Sequence, residues 1–289
     1  MCVGLFVFLI SSLFITSAFC GIYNGNFEVF DHNETCDINT PSNWFCDANY
    51  ISCVGSLEPA SATWKIDTPL LPFKGSYFLL LSTGDHRMCQ ASSGAKVWQF
   101  LDVEAGNTLK GVFFFGTVDW NPFPDWGTIT VKLLDNPDEP IEIVYVQVED
   151  VGSYGSGDTG SMSGWKSFEY TFETAGTYEL DIMVCDYSDT AYDTFFAVDN
   201  LVLCSSNAAA MGDFNGDCSV NFADFAYFAS DWLFNCEDPE VHNDPESDPD
   251  YYNAPYSFCL LGTDMNDDGP VDVNDLKIMA ENWLLGVEE

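Results

Sequence analysis

Positive charge is scarce in this 289-residue chain: 8 Lys+Arg stand against 46 Asp+Glu, for a formal net charge of −38. A surface this acidic repels phosphate backbones and anionic lipid, which argues against nucleic acid as a partner. Its three His, at His32, His86 and His242, are scattered, and no close C-x-x-C pair occurs, so a zinc reading fails. G-x-S-x-G, H-E-x-x-H and a Cys–His pair at a catalytic spacing are also absent. Apolar residues are plentiful at 47%, with 16% aromatic, so the chain is cored rather than a disordered acidic polymer. Its carboxylates therefore belong on the surface or on metal, where a bound divalent ion would relieve their repulsion.

Lys and Arg are missing altogether before Lys65, although residues 3–19 form an uncharged apolar run ending in small residues. The run reads as a secretory signal peptide over residues 1–20, cleaved after Ala18 or Cys20, with an uncleaved membrane anchor as the alternative. After cleavage no membrane insertion is expected. Eleven Cys agree with export to an oxidising compartment. If Cys20 is retained, it could reach Cys204 where the first and last strands of a sandwich meet. Cys236 and Cys259 bracket 22 residues within an acidic insert, 235–262. A bridge between them would contribute about 3 kcal/mol by restricting the unfolded chain.

No helical period of useful length appears in residues 21–204. Short β-rich runs split by Gly, Pro, Asn and Asp predict strands near Asn26–Phe30, Ala62–Asp67, Ser76–Ser82, Lys96–Val103 and Thr108–Trp120. More follow near Thr128–Leu134, Ile141–Glu149, Trp165–Glu173, Thr177–Tyr187 and Thr194–Leu203. Runs at this spacing argue for a mainly β fold, an antiparallel β-sandwich. Trp98 and Trp165 lie within strands and are assigned to its core. Paired carboxylates at i, i+2 or i+4 on one strand would mark a sandwich glycosidase. Glu142 with Val144, Gln147 with Glu149, and Asp181 with Cys185 break that spacing.

The strongest pattern follows a short linker at 205–211. Asp213 to Leu233 returns 51 residues later as Asp264 to Leu284, the mark of a duplicated supersecondary unit. Each copy sets oxygen-bearing side chains at positions 1, 3, 5 and 12 of a twelve-residue loop, the arrangement that wraps a hard cation such as Ca²⁺. These are Asp213, Asn215, Asp217 and Asp224, then Asp264, Asn266, Asp268 and Asp275; Ser219 and Pro270 hold position 7, where the backbone carbonyl ligates. An apolar helix stripe follows each loop, closed by Trp232 and Trp283, which are expected to pack the two helices together.

DFNGDCSVNFAD and DMNDDGPVDVND, each leading into an apolar helix, resemble the repeats of the type I dockerin module over residues 212–289. The resemblance implies a small α-helical domain of paired Ca²⁺ loops that plugs into a cohesin-like or other surface protein. Position 6, normally Gly because the chain turns there with φ > 0, is Cys218 in the first copy, at a cost of about 1 kcal/mol. Positions 10 and 11, where dockerins read their partner, are Phe222 and Ala223, then Val273 and Asn274.

NGNFE at Asn24–Glu28, WQFLDVEAGNTLKGVFFFG at Trp98–Gly116 and FAVDNLVL at Phe196–Leu203 carry a second likeness. They are similar to galactose-binding-like jelly-roll modules, common among secreted carbohydrate-binding modules. That resemblance implies a structural Ca²⁺ between Glu28 and Asp199, where first and last strands meet; the other reading is a solvated edge charge and a turn former. Carbohydrate is bound by flat aromatics beside amides and carboxylates. The loop Asp119–Trp126 offers Trp120, Trp126, Asp119 and Asp125, with Trp44 and Tyr50 as second choices. The chain is thus expected to be a secreted carbohydrate- or surface-ligand-binding sandwich with a calcium-stabilised attachment module. A dockerin-bearing glycoside hydrolase or lyase with an unrecognised site, and a structural cell-surface protein with no sugar site, are the alternatives.

Overall fold

The computed structural model describes residues 22–31, 39–46, 50–60, 69–84, 95–120, 122–152, 161–187, 192–204, 212–214, 218–235, 263–266 and 268–284. Two antiparallel sheets dominate. The back sheet orders β10 (Ser161–Met162), β7 (Thr108–Thr117), β13 (Thr194–Cys204), β5 (Phe78–Ser82) and β4 (Ile51–Val54), with β11 (Lys166–Thr171) also on β7. The front sheet orders β3 (Phe45–Cys46), β6 (Ala95–Val103), β12 (Gly176–Cys185), β8 (Trp126–Leu133) and β9 (Ile141–Gln147). A small ribbon joins β1 (Phe30–Asp31) to β2 (Thr40–Pro41). The strands at 40–41, 45–46, 51–54 and 161–162 are additions to the expected set, too short to carry a period of their own. The run expected at Ala62–Asp67 lies outside the described residues.

The two sheets differ in how many faces they bury. Leu79, Leu81, Phe113, Phe115, Phe196 and Val198 of the back sheet meet Ile129, Val131, Leu180 and Ile182 of the front sheet in the main core. The other face of the back sheet is also covered: Phe78, Val112, Phe114 and Ala197 pack under Leu70, Met162 and Trp165. Burial on both faces explains why TLKGVFFFGT in β7 reads as a near-continuous apolar run. On the front sheet, β6 and β12 alternate buried and partly exposed residues, so one row points inward and the other toward solvent.

Several expected site residues occupy structural positions instead. Trp44 is only 5% exposed, rests on Phe27 at a ring distance of 5.6 Å, and donates from Nε1 to the Tyr23 carbonyl, so it has no open face for a sugar. Asp119 and Asp125 are buried beside Asp186 under the end of the sandwich rather than exposed on a loop clamp. Asp125 accepts from the Tyr187 N–H at 2.9 Å and the Thr194 hydroxyl at 2.6 Å, which ties the loop before β8 to β13. Cys204 is bonded to Cys218, which rules out the Cys20 pairing; Cys46 and Cys185 are also in disulfides, and Cys53 is a free buried thiol. Cys236 and Cys259 lie outside the described residues, as do residues 1–20 and the linker positions 205–211. Among the described residues no helix is long and apolar enough to cross a membrane.

The carboxyl-terminal copies form two loop–helix units. Helix α1 (Phe222–Ser230) starts at Asn221 and α2 (Val273–Glu281) at Asp272, each with a capping box closed by the loop's last Asp, Asp224 or Asp275. Their exits match too: Leu233 and Leu284 both take positive φ, at 68° and 66°. Leu233 donates to the Val271 carbonyl and Leu284 to the Val220 carbonyl, so each loop is pinned by the chain leaving the other helix. Phe214, Val220, Phe228, Met265, Val271 and Met279 fill the space between. Trp283 packs against that core as expected. Trp232 does so less completely, being 40% exposed.

Burial of the sandwich carboxylates has a consequence for stability. Burial, reinforced by the charges of Asp186 and Asp119 and opposed by the bonds from Thr194 and Tyr187, raises Asp125 to about 8. Burial also raises Asp199 to about 7, against backbone bonds from Lys74, Asn200 and Phe73 and with help from the Glu28 charge. An unfolded Asp titrates near 3.9. Between that value and the folded ones the native state holds protons that the unfolded chain releases, so stability declines as pH rises through this window. In calcium-free buffer the melting temperature is expected to fall by about 10 °C from pH 5 to pH 8. Asp125→Asn should flatten that slope; an unchanged slope in the variant, by scanning calorimetry, would contradict the assignment.

Candidate ligand-binding face and cation loops

The outward row of the front sheet gathers aromatic and charged side chains on one face. Trp98 on β6 lies on this face and not in the core, because the inward row of β6 is taken by Val97, Gln99 and Leu101. Gln99 is itself locked inside, accepting from Tyr23 N–H and donating to the Tyr23 and Asn43 carbonyls. Phe45 on β3, 53% exposed, stacks on Trp98 at 5.6 Å and 19°, and Phe100 meets Phe45 edge-on at 5.9 Å. Across the sheet Trp126 on β8 stacks on Tyr145 of β9 at 6.0 Å and 29°. Pairing registers set Trp98 opposite Asp181 and Trp126 opposite Cys185 on β12. From strand spacing and rise, the two Trp stand about 16 Å apart.

Between these aromatic flanks sits a four-membered ionic centre. Lys96 contacts Glu179 at 3.1 Å and Asp181 at 2.9 Å, and Lys132 contacts them at 2.7 and 3.3 Å. The Lys96 ammonium also lies 5.1 Å from the Trp98 ring centroid. Burial works against the charge on Glu179, but bonds from Lys132, Asp181 and Lys96 hold it down at about 2. Burial raises Asp181, whose bond from Lys96 pulls the other way. The cluster presents fixed donors and acceptors on the floor of this face. Trp126, expected on the Asp119–Trp126 loop, instead opens β8 and lies on this face. Trp120 stands apart at the sandwich rim, against Tyr192 at 5.1 Å and Phe123 at 6.0 Å.

Glu28, which precedes β1 rather than lying in a strand over Asn26–Phe30, and Asp199 of β13 converge on one turn. Glu28 Oε1 accepts the N–H groups of Ser76 and Tyr77 at 2.6 and 3.0 Å. Asp199, fully buried, accepts from the N–H groups of Lys74 and Asn200 at 2.9 and 2.7 Å. Gly75, with φ 79°, passes so close to the Glu28 carboxylate that a Cβ there would collide with it. Burial, and then the charges of Glu28 and Asp199, push the neighbouring Cys53 thiol up to about 12. Two carboxylates held at one turn could supply oxygen ligands to a hard cation.

The second carboxyl-terminal loop has the donor set for such an ion. Asp264 at position 1 accepts from the N–H of Gly269 at 2.8 Å and of Asp268 at 3.2 Å, folding the loop around its own first ligand. Gly269 holds position 6 with φ 98°. Asp275 at position 12 is buried and accepts from Met265, Asn266 and Asp272 N–H groups at 2.8, 3.2 and 2.7 Å. Asn266 and Asp268 sit between them, linked at 2.8 Å, and Pro270 pairs with Asn235 across a short bridge. All of these are oxygen ligands, which fits Ca²⁺. In the first loop Asp213 accepts from Cys218 N–H at 3.0 Å and Asp224 from Asn221 N–H at 2.8 Å, repeating the pattern. Ser219 follows Cys218 in that loop, while Asn215 and Asp217 lie outside the described residues. Cys204, Asp213 and Cys218 also converge within 4.8 Å, but both sulfurs are consumed by their disulfide and are no metal ligands.

Both helices present an apolar first residue to solvent. Phe222 is 78% exposed and Val273 63%, and these are the position-10 residues of the two loops. Phe225, Phe228, Ala229, Trp232 and Leu276 line a pocket of about 300 Å³ between the helices.

No protein-family model matches the chain, and no curated protein does. Solved structures that align with it include carbohydrate-binding modules. TmCBM61, solved in complex with beta-1,4-galactotriose, is 14% identical over 63% of this chain and 95% of that one, with a TM-score of 0.37. The K2 cleaved adhesin domain of Lys-gingipain is 12% identical over 63% and 96%, with a TM-score of 0.36. The CBM22-1 xylan-binding domain from Paenibacillus barcinonensis Xyn10C is 13% identical over 57% and 86%, with a TM-score of 0.31. Identities and scores at this level assign neither a family nor a ligand.

Proposed function

We propose that this is a secreted carbohydrate-binding protein that lays a glycan chain across the open face of the front sheet. The observation that carries this reading is the pair of exposed aromatic platforms, Phe45–Trp98–Phe100 and Trp126–Tyr145, on either side of the Lys96–Lys132–Glu179–Asp181 centre. Sugar rings stack their C–H faces on aromatic π faces, and their hydroxyls take donors and acceptors from charged groups already held in place. The pre-paired charges lose little freedom on binding, which lowers the cost of recognition. Trp120 at the rim would extend the site toward the loops.

The carboxyl-terminal loops are proposed to bind Ca²⁺ through Asp213, Asn215, Asp217, Ser219 and Asp224, and through Asp264, Asn266, Asp268, Pro270 and Asp275. A third ion is proposed at Glu28 and Asp199. Bound calcium would neutralise carboxylates and add its binding energy to the stability of a small module. This module would then attach the sandwich to a cohesin-like or other surface protein, as the dockerin resemblance implies. Exposed Phe222 and Val273, at the positions where dockerins read their partner, support that role.

Two measurements test these assignments. The full chain should bind at least one neutral glycan on an array, and Trp98→Ala or Trp126→Ala should weaken that binding about tenfold or more, as loss of a central aromatic anchor does. No binding to any glycan, or full affinity in the double variant, would sink the carbohydrate reading. Calcium at one hundred times its Kd should stabilise the chain by about 2.7 kcal/mol over EGTA-treated protein in denaturant melts. Asp264→Asn should remove most of that gain; a melt indifferent to EGTA would remove the calcium role.

A further inference from the structure

The two loops share their helix caps and exits but not their electrical surroundings. Lys110, on β7 of the back sheet, places its ammonium 3.7 Å from Oδ2 of Asp213, the position-1 carboxylate of the first loop. That carboxylate is fully buried, whereas the lysine side chain keeps 20% of its surface exposed. Lys110 pairs with Val202 of β13, two residues before Cys204, so the same corner of the sandwich supplies the disulfide to Cys218 at position 6. Positions 1 and 6 of this loop are thus both fastened to the sandwich, one by charge and one by a covalent bond. The second loop has no such neighbour: among the described residues no ion pair reaches Asp264, and Lys277 pairs only with Glu281, at 4.0 Å on the surface.

We propose that Lys110 is a resident cation of the first loop, holding it folded on the sandwich and making it a much weaker calcium site than the second. This rests on reading the loops as calcium cages. A divalent ion at Asp213 would be held within a few ångströms of a fixed ammonium in a partly desolvated corner, where like charges repel strongly. An ammonium already neutralises part of the carboxylate charge that makes an empty loop unstable, so the first loop keeps its shape without metal. The second loop has no internal cation of this kind and depends on the ion. Chelation should therefore loosen one half of the module and leave the half bonded to the sandwich in place.

The test is calcium titration by calorimetry on the oxidised full chain. The first site is defined as the binding lost on Asp213→Asn, and the second as that lost on Asp264→Asn. In the unmodified chain the first site should bind at least about tenfold more weakly than the second. Lys110→Met should tighten the first site about tenfold or more without changing the second, and Lys110→Arg, which keeps the charge, should behave like the unmodified chain. Circular dichroism confirms that each variant is folded. Equal affinities at the two sites, or a first site unmoved or weakened by Lys110→Met in a folded variant, would overturn the proposal. Failure of the calcium reading itself looks different: Asp264→Asn would then remove no binding at all.

Discussion

A carboxylate that leaves water needs positive charge, a set of N–H donors or a proton, and this chain has 8 basic side chains for 46 acidic ones. That shortage governs how the molecule is built. Lys96 and Lys132 are shared between Glu179 and Asp181, and Lys110 goes to Asp213. Elsewhere backbone N–H groups substitute for cations: Ser76 and Tyr77 on Glu28, Lys74 and Asn200 on Asp199, and Met265, Asn266 and Asp272 on Asp275. Asp125, with a hydroxyl and one N–H among neighbouring Asp, keeps its proton up to about 8. These N–H donors spend part of each carboxylate's charge, so a divalent ion, where one is proposed, takes the lone pairs they leave open.

The same shortage bears on whether the front-sheet face does chemistry. Glu179 and Asp181 stand at i, i+2 on β12 and point to the same side, the spacing a sandwich glycosidase needs, with Asp181 raised and Glu179 lowered. A retaining glycosidase keeps its two carboxyl groups about 5–5.5 Å apart so that a sugar carbon fits between nucleophile and acid. Here the same two lysines bridge both carboxylates at 2.7 to 3.3 Å. The space for a reacting atom is filled by ion pairing. This arrangement favours holding hydroxyls over transferring protons, and it favours a binding face over an active site.

Much of the architecture was legible because it is periodic or repeated. The 51-residue offset foretold two loop–helix units, and their matching caps and matching Leu233 and Leu284 exits repeat it in three dimensions. The long strands of both sheets were readable from alternation. The ligand face was not, since period two separates two rows without saying which is inside. On β6 the row Lys96–Trp98–Phe100 is as aromatic as a core, and the true inward row contains Gln99, whose polarity is absorbed by Tyr23 and Asn43 from distant segments. Asp119 and Asp125 read as loop carboxylates because Pro and Asn surround them; Asp125 is held inside by Thr194 and Tyr187, more than sixty residues away in the sequence. The Glu179–Asp181 pair was missed by setting Asp181 against Cys185 rather than against its nearer neighbour.

Cys218 shows how a departure from a loop pattern acquires meaning only in three dimensions. By sequence it is a defect, a side chain at a position that wants glycine, and the backbone there does take φ 67°. In the fold that left-handed turn aims the sulfur at Cys204, the last residue of the last sandwich strand. The bond closes a short loop of sequence separation 14, and restricting the unfolded chain in this way contributes about 3 kcal/mol, more than the strain costs. Gly269 keeps the same turn in the second copy without any tether. Duplication thus gave two similar loop–helix units, and one cysteine with one lysine made the first a fixed joint to the sandwich. On the calcium reading, the second is left to respond to the ion.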